Sequence, residues 1–185
     1  DVCSSDLEWT LFLRQFDVKV PWTVQLNGKT FTNLFLSEDD LVNAFAVPPG
    51  LLKETNTLTI LPPKERDDIR IEDIRLEPKS FKELATCIVD LKANMPCRVT
   101  VVDNNGSLFP MRVEGDHIAV RPGVAYLGDS AAKFFLPPGD YTFFVGRGFE
   151  YGINKLFLHL EPDAREPLNL TLQREVSTPG MVACD

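Results

Sequence analysis

Histidine is scarce in this chain of 185 residues: His117 and His159 are the only two, and they stand far apart. A multi-metal hydrolytic centre needs several histidine and carboxylate ligands converging on one cavity, with a position left open for water. Two histidines outside any ligand-spaced motif do not make one, and both read as surface or sheet residues. Cysteine is also sparse. Cys3, Cys87, Cys97 and Cys184 form no C-x-x-C pair and no Cys/His cluster of zinc spacing. Cys87 and Cys97 flank a predicted hairpin and read as buried free thiols, with a bridge between them as the alternative. A Gly-rich phosphate loop, a G-x-S-x-G elbow and a Ser/His/Asp order are all missing, so nothing points to nucleophilic catalysis.

No apolar run approaches the roughly 18–20 residues that span a bilayer. No basic stripe exists either. Lys and Arg number 19 against 27 Asp and Glu, a net charge of −8. Acidity is spread, with 9 basic and 14 acidic residues up to Lys79 and 10 and 13 after it. Nucleic acid and anionic membrane demand clustered cations and are disfavoured as partners. The first seven residues, DVCSSDL, have neither a basic n-region nor an apolar h-region. They read as a non-native tail left by sequencing, so the compartment cannot be taken from them.

What the chain does have is turn chemistry between short β-branched and aromatic runs. Residues 134–151, FFLPPGDYTFFVGRGFEY, give a strand, a stiff Pro-Pro-Gly corner and a Tyr-led return strand. Upstream, strands are predicted at 9–16, 22–26, 29–36, 42–47, 56–61 and 68–76, with the Asn27-Gly28 pair as a hairpin turn and one helical turn at 51–53. Pro78 closes this block. Beyond it, strands are predicted at 84–91, 98–102, 111–113, 117–120, 156–160 and 168–172, with 121–129 as a long loop and 174–180 as an exit linker. The expected fold is all-β, in two β-sandwich modules at 8–78 and 79–174. Residues 175–185 are expected to be a linker and the first strand of a further domain.

The first block, through WTVQLNGKTF, VPPGLLKETNTLTI and DDIRIEDIRLEP, resembles galactose-binding-like jelly rolls that accompany hydrolases, with an opening strand lacking. The corner LPPGDY resembles carboxypeptidase-regulatory-like, or transthyretin-like, domains. The order AVRPGVAYLGD, FFLPPGDYTFFVGRGFEYG, LTLQREVSTPGMVACD resembles the non-catalytic region of CehA/McbA-type metallohydrolases, a branch of the PHP superfamily. In that family a His-x-His motif follows the exit strand and opens the metal-binding barrel. The resemblance therefore implies a non-catalytic accessory region without a cofactor of its own. Its partner would be a C-terminal catalytic domain of the same chain holding a divalent metal, in an exported, periplasmic or extracellular bacterial protein. A carbohydrate-binding accessory module of an exported hydrolase is the alternative, and a purely structural pair of sandwiches is a third reading.

Candidate sites follow. Arg147, Glu150 and Tyr151, with Arg121, Tyr126 and Asp129 of the expected loop, either face the catalytic barrel or its substrate, or hold that loop onto the sandwich through an ion pair. Trp9 and Trp22 are candidates for stacking on a sugar ring, though alternation places Trp22 with Val24 on one face, as a core would. The acidic runs 38–40 and 67–68 read as solvated turns, with calcium ligation as the other reading. Asp103-Asn104-Asn105-Gly106 reads as a turn.

Overall fold

The computed structural model describes residues 8–63 and 66–180. The tail expected at 1–7, the strand expected at 181–185, Cys3 and Cys184 lie outside the described residues. The chain divides into two compact units, Asp1–Leu84 and Ala85–Asp185. Both are built of strands.

In the first unit the strands are β1 (Trp9–Phe16), β2 (Thr23–Leu26), β3 (Lys29–Asn33), β4 (Leu41–Val47), β5 (Leu58–Leu61) and β6 (Arg70–Glu77), followed by the one-turn helix α1 (Phe81–Leu84). They make two three-stranded antiparallel sheets, ordered β4-β1-β6 and β3-β2-β5. Side-chain alternation sends Leu11 and Leu13 from β1 and Val24 and Leu26 from β2 inward, into one cluster with Val47 and Leu51 and another with Val18 and Leu34, with Phe31, Phe45 and Leu58 packed against both. Asn27 and Gly28 both take positive φ, as an Asn-Gly hairpin turn requires. Thr10 and Phe12 point away from this core and are nevertheless buried. Phe81 of α1 packs on Phe12 with ring centroids 6.1 Å apart, and the Thr10 hydroxyl donates to the Lys79 carbonyl at 2.8 Å. The helix is set by a capping box: the amide and hydroxyl of Ser80 donate to the Glu83 carboxylate, and the Glu83 amide points back at the Ser80 hydroxyl. These bonds from Ser80 hold the Glu83 carboxyl below its ordinary value.

The second unit contains β7 (Cys87–Ala93), β8 (Cys97–Asp103), β9 (Arg112–Glu114), β10 (Ile118–Arg121), β11 (Val124–Leu127), β12 (Ala131–Leu136), β13 (Gly139–Gly146), β14 (Asn154–Leu160) and β15 (Arg165–Leu170). A five-stranded sheet runs β10-β11-β8-β13-β14 and a four-stranded one β15-β7-β12-β9. Strict alternation buries Cys87, Val89 and Leu91 on β7, Val99 and Val101 on β8, Phe134 and Leu136 on β12, and Tyr141, Phe143 and Val145 on β13. Phe134 and Phe143 meet edge to face at 5.8 Å, tying one sheet to the other. The Pro-Pro-Gly corner is locked from above. Tyr141 Oη donates to the Pro137 carbonyl at 3.1 Å, four residues upstream, and the Tyr141 ring packs against Phe109 at 5.1 Å. Pro167 is tolerated because β15 is an edge strand, paired only with β7 and in parallel.

Two expectations about elements fail. Residues 121–129 are not a long loop: Pro122 and Gly123 turn a tight hairpin, with Gly123 at φ 69°, and β11 pairs with both β10 and β8. Residues 51–53 form no helical turn. The Leu51 amide closes a β-turn onto the Pro48 carbonyl, with Pro49-Gly50 at its centre and Gly50 at φ 72°. Cys87 and Cys97 are buried free thiols, and the Cys87 thiol donates to the Glu161 carbonyl.

Candidate functional site

β8, β11 and β13 lie side by side, so the beginnings of β8 and β10 and the ends of β11 and β13 gather at one end of the five-stranded sheet. There an open concavity of about 410 Å³ is lined by Pro96, Cys97, Arg98, His117, Tyr126 and Arg147 among others. Arg98 follows from alternation: Cys97 and Val99 point into the core, so Arg98 points out. The register sets it opposite Tyr126 on one side and Gly146 on the other. Its guanidinium carbon lies 5.9 Å from the Tyr126 ring centre. Arg147, one residue past Gly146, donates to the Pro96 carbonyl at 3.3 Å and sits 6.0 Å from the Tyr151 ring. His117 takes φ 48°, an uncommon conformation for a residue with a side chain, and its carbonyl accepts from the Gly128 amide at 2.9 Å. Its Nδ1 lies 2.8 Å from Asp129 Oδ2. The Asp129 hydrogen bond holds the imidazole pKa above its ordinary 6.5.

Tyr126, Asp129 and Arg147 thus come together, with Asp129 attached through His117. Arg98, His117 and Cys97 were not anticipated here, because the register that assembles them is not written in local spacing. Burial pushes the Cys97 thiol up, with Arg147 pulling weakly the other way, which disfavours a reactive thiolate. Arg121 lies at the other end of the β10–β11 hairpin, opposite Val124. Glu150 and Tyr151 do different work. Glu150 forms an ion pair with Arg174 at 2.9 Å, its carbonyl accepts from the amides of Glu175 and Val176, and Tyr151 bridges to Arg174. Arg174 also donates to the Thr178 hydroxyl at 2.7 Å. The segment expected as an exit linker is fastened to the loop after β13.

Trp9 and Trp22 are half-buried and pack against the first unit's core clusters, and Trp22 Nε1 donates to Asp67 at 2.9 Å. That bond is the main reason the Asp67 carboxyl sits below its ordinary value. In the acidic run 38–40, Asp39 accepts from the Ser37 hydroxyl and Asp40 takes a two-point contact from Arg14. Asp103 Oδ1 accepts from the amides of Asn105 and Ser107, as turn chemistry requires.

His159 lies on β14, with Nδ1 2.6 Å from Asp140 and Nε2 3.0 Å from Glu161. One ion cannot collect these carboxylates on opposite ring nitrogens, and among the described residues no group of three or more His, Cys, Asp and Glu side chains is placed to hold a metal. The divalent metal that the resemblance implies finds no donor set in these residues. The Asp140 hydrogen bond, then Glu161, raise the His159 pKa above 6.5. A raised folded-state pKa stabilises fully below the unfolded value and is lost as pH climbs through the folded one. The melting temperature should accordingly fall as pH rises from below 6.5 through the raised value, and the H117Q/H159Q double variant should flatten that slope. An imidazole resonance titrating at or below 6.5 in either residue would contradict the geometry.

No helix of the described residues is long and apolar enough to cross a membrane. No model of a known protein family matches the sequence, and no curated protein matches it.

Proposed function

We propose that this chain is a non-catalytic accessory region of a PHP-type, CehA/McbA-like metal-dependent hydrolase, packing against a C-terminal catalytic domain of the same polypeptide. The ordered motifs at residues 119–129, 134–152 and 170–185 motivate the reading. The observation that carries it is the fastened segment at 174–178. A freely jointed linker would leave a following domain to diffuse. A segment held by an ion pair and three backbone hydrogen bonds, from the Gly152 amide to the Gln173 carbonyl and from the Glu175 and Val176 amides to the Glu150 carbonyl, leaves the sandwich in one direction. A scaffold needs that property and a tether does not. Glu150 and Arg174 are positioning residues in this scheme. The expected divalent metal belongs to the catalytic domain, and this polypeptide is expected to contribute shape and orientation only. The test is metal-dependent phosphoester hydrolysis by the purified chain, with no turnover expected.

A further inference from the structure

We propose that the concavity between Arg98, Tyr126 and Arg147 binds a small phosphate monoester carried on a flat organic group, with the two guanidinium groups on the phosphoryl oxygens and the tyrosine ring beneath the organic part. The inference rests on the second unit alone and stands whether or not the accessory-region reading does.

The charge pattern points this way first. Arg14, Arg70, Arg75, Arg112 and Arg174 all pair with carboxylates. Among the described residues neither Arg98 nor Arg147 has one; Arg121 and Arg165 lack one too, but Arg98 and Arg147 are the two that line the same concavity, in a chain of net charge −8. His117 on the rim has Asp129 at 2.8 Å to balance any charge it takes up, so the charges of the concavity without a carboxylate are the two arginines. Two guanidinium groups on one concavity match a dianion better than a carboxylate, and their planar forks suit phosphoryl oxygens. Shape points the same way. The concavity is open to solvent along one side, Ile118, Ala119 and Leu127 give it apolar walls, and Tyr126 offers an aromatic face. His117 holds a conformation that costs energy, on the rim of this same concavity.

The experiment is isothermal titration calorimetry of the intact chain at low ionic strength with phenyl phosphate, inorganic phosphate and benzoate. Phenyl phosphate should bind saturably at one site. R98Q and R147Q should each weaken it by about tenfold, the loss of a charge-assisted contact. Y126A should weaken phenyl phosphate while leaving inorganic phosphate unchanged. R165Q, on exposed β15 of the other sheet, should change nothing, which separates a local site from general attraction. R147K retains the charge without the fork and should fall between wild type and R147Q, so a fold defect in the glutamine variant does not remove the test. Absence of saturable heat in the millimolar range would overturn the proposal. So would benzoate binding as tightly as phenyl phosphate, or R165Q costing as much as R98Q.

Discussion

F143A is expected to destabilise the second unit by about 3–5 kcal/mol, the range for deleting a buried aromatic ring. Phe143 is fully buried on the central region of the five-stranded sheet, between Val101 of β8 and Leu156 of β14. Its ring meets Phe134 of the opposite sheet, so the truncation removes the contact between layers along with the area. The residue inventory supplies separate probes. Both tryptophans, Trp9 and Trp22, belong to the first unit, while the three tyrosines, Tyr126, Tyr141 and Tyr151, belong to the second. Chemical denaturation followed by near-ultraviolet tyrosine dichroism should show an early transition in the variant. A midpoint unchanged from wild type would mean that the two sheets do not share this core.

G123A carries the second large effect. Gly123 sits at φ 69°, where a side chain is strained, and an added Cβ would lie 2.6 Å from Leu108 Cβ and 3.0 Å from Leu108 Cα. Strain of about 1–2 kcal/mol and overpacking of about 1–3 kcal/mol together predict a loss of about 2–5 kcal/mol. L108A should rescue little, since the closest atoms are Leu108 Cβ and Cα and both remain in alanine. A neutral G123A would show that the β10–β11 turn yields easily. The concavity built on that hairpin would then be less rigid than its geometry implies.

The same hairpin shows where sequence reasoning reaches its limit. Alternation and turn pairs carried most strands: β1 falls at residues 9–16 as expected, and Asn27-Gly28 turns the chain where the pair predicts. Four residues, VAYL, are too short to display a period, and the Pro-Gly before them signals a turn without telling a hairpin from a loop. β11 pairs with β10 across the turn and also with β8, more than twenty residues upstream, and that second pairing has no local signal. α1 was legible in principle, because Ser80 and Glu83 have capping-box spacing, but a single turn has no amphipathic stripe to announce it.

The candidate site divides along the same line. Arg147 stood out because it lies between two glycines, and Tyr126 because it fell in the stretch expected to be a loop. Arg98 did not, because an outward residue on an alternating strand looks like any other solvated position. Only the register, which sets Arg98 beside both Tyr126 and the end of β13, makes a pair of the two arginines. Glu150 was expected to act either at a substrate or in a structural ion pair. Its partner Arg174 is distant in sequence and lay in a segment expected to be an exit linker.

The central claim is that these two β-sandwich units orient chemistry performed elsewhere. The most direct measurement is hydrolysis of bis(p-nitrophenyl) phosphate and p-nitrophenyl phosphate by the purified 185-residue polypeptide, with manganese or zinc supplied and with chelator as control. The predicted result is release of p-nitrophenol no faster than in protein-free buffer. Turnover that scales with protein concentration, requires the metal and stops with chelator would contradict the account.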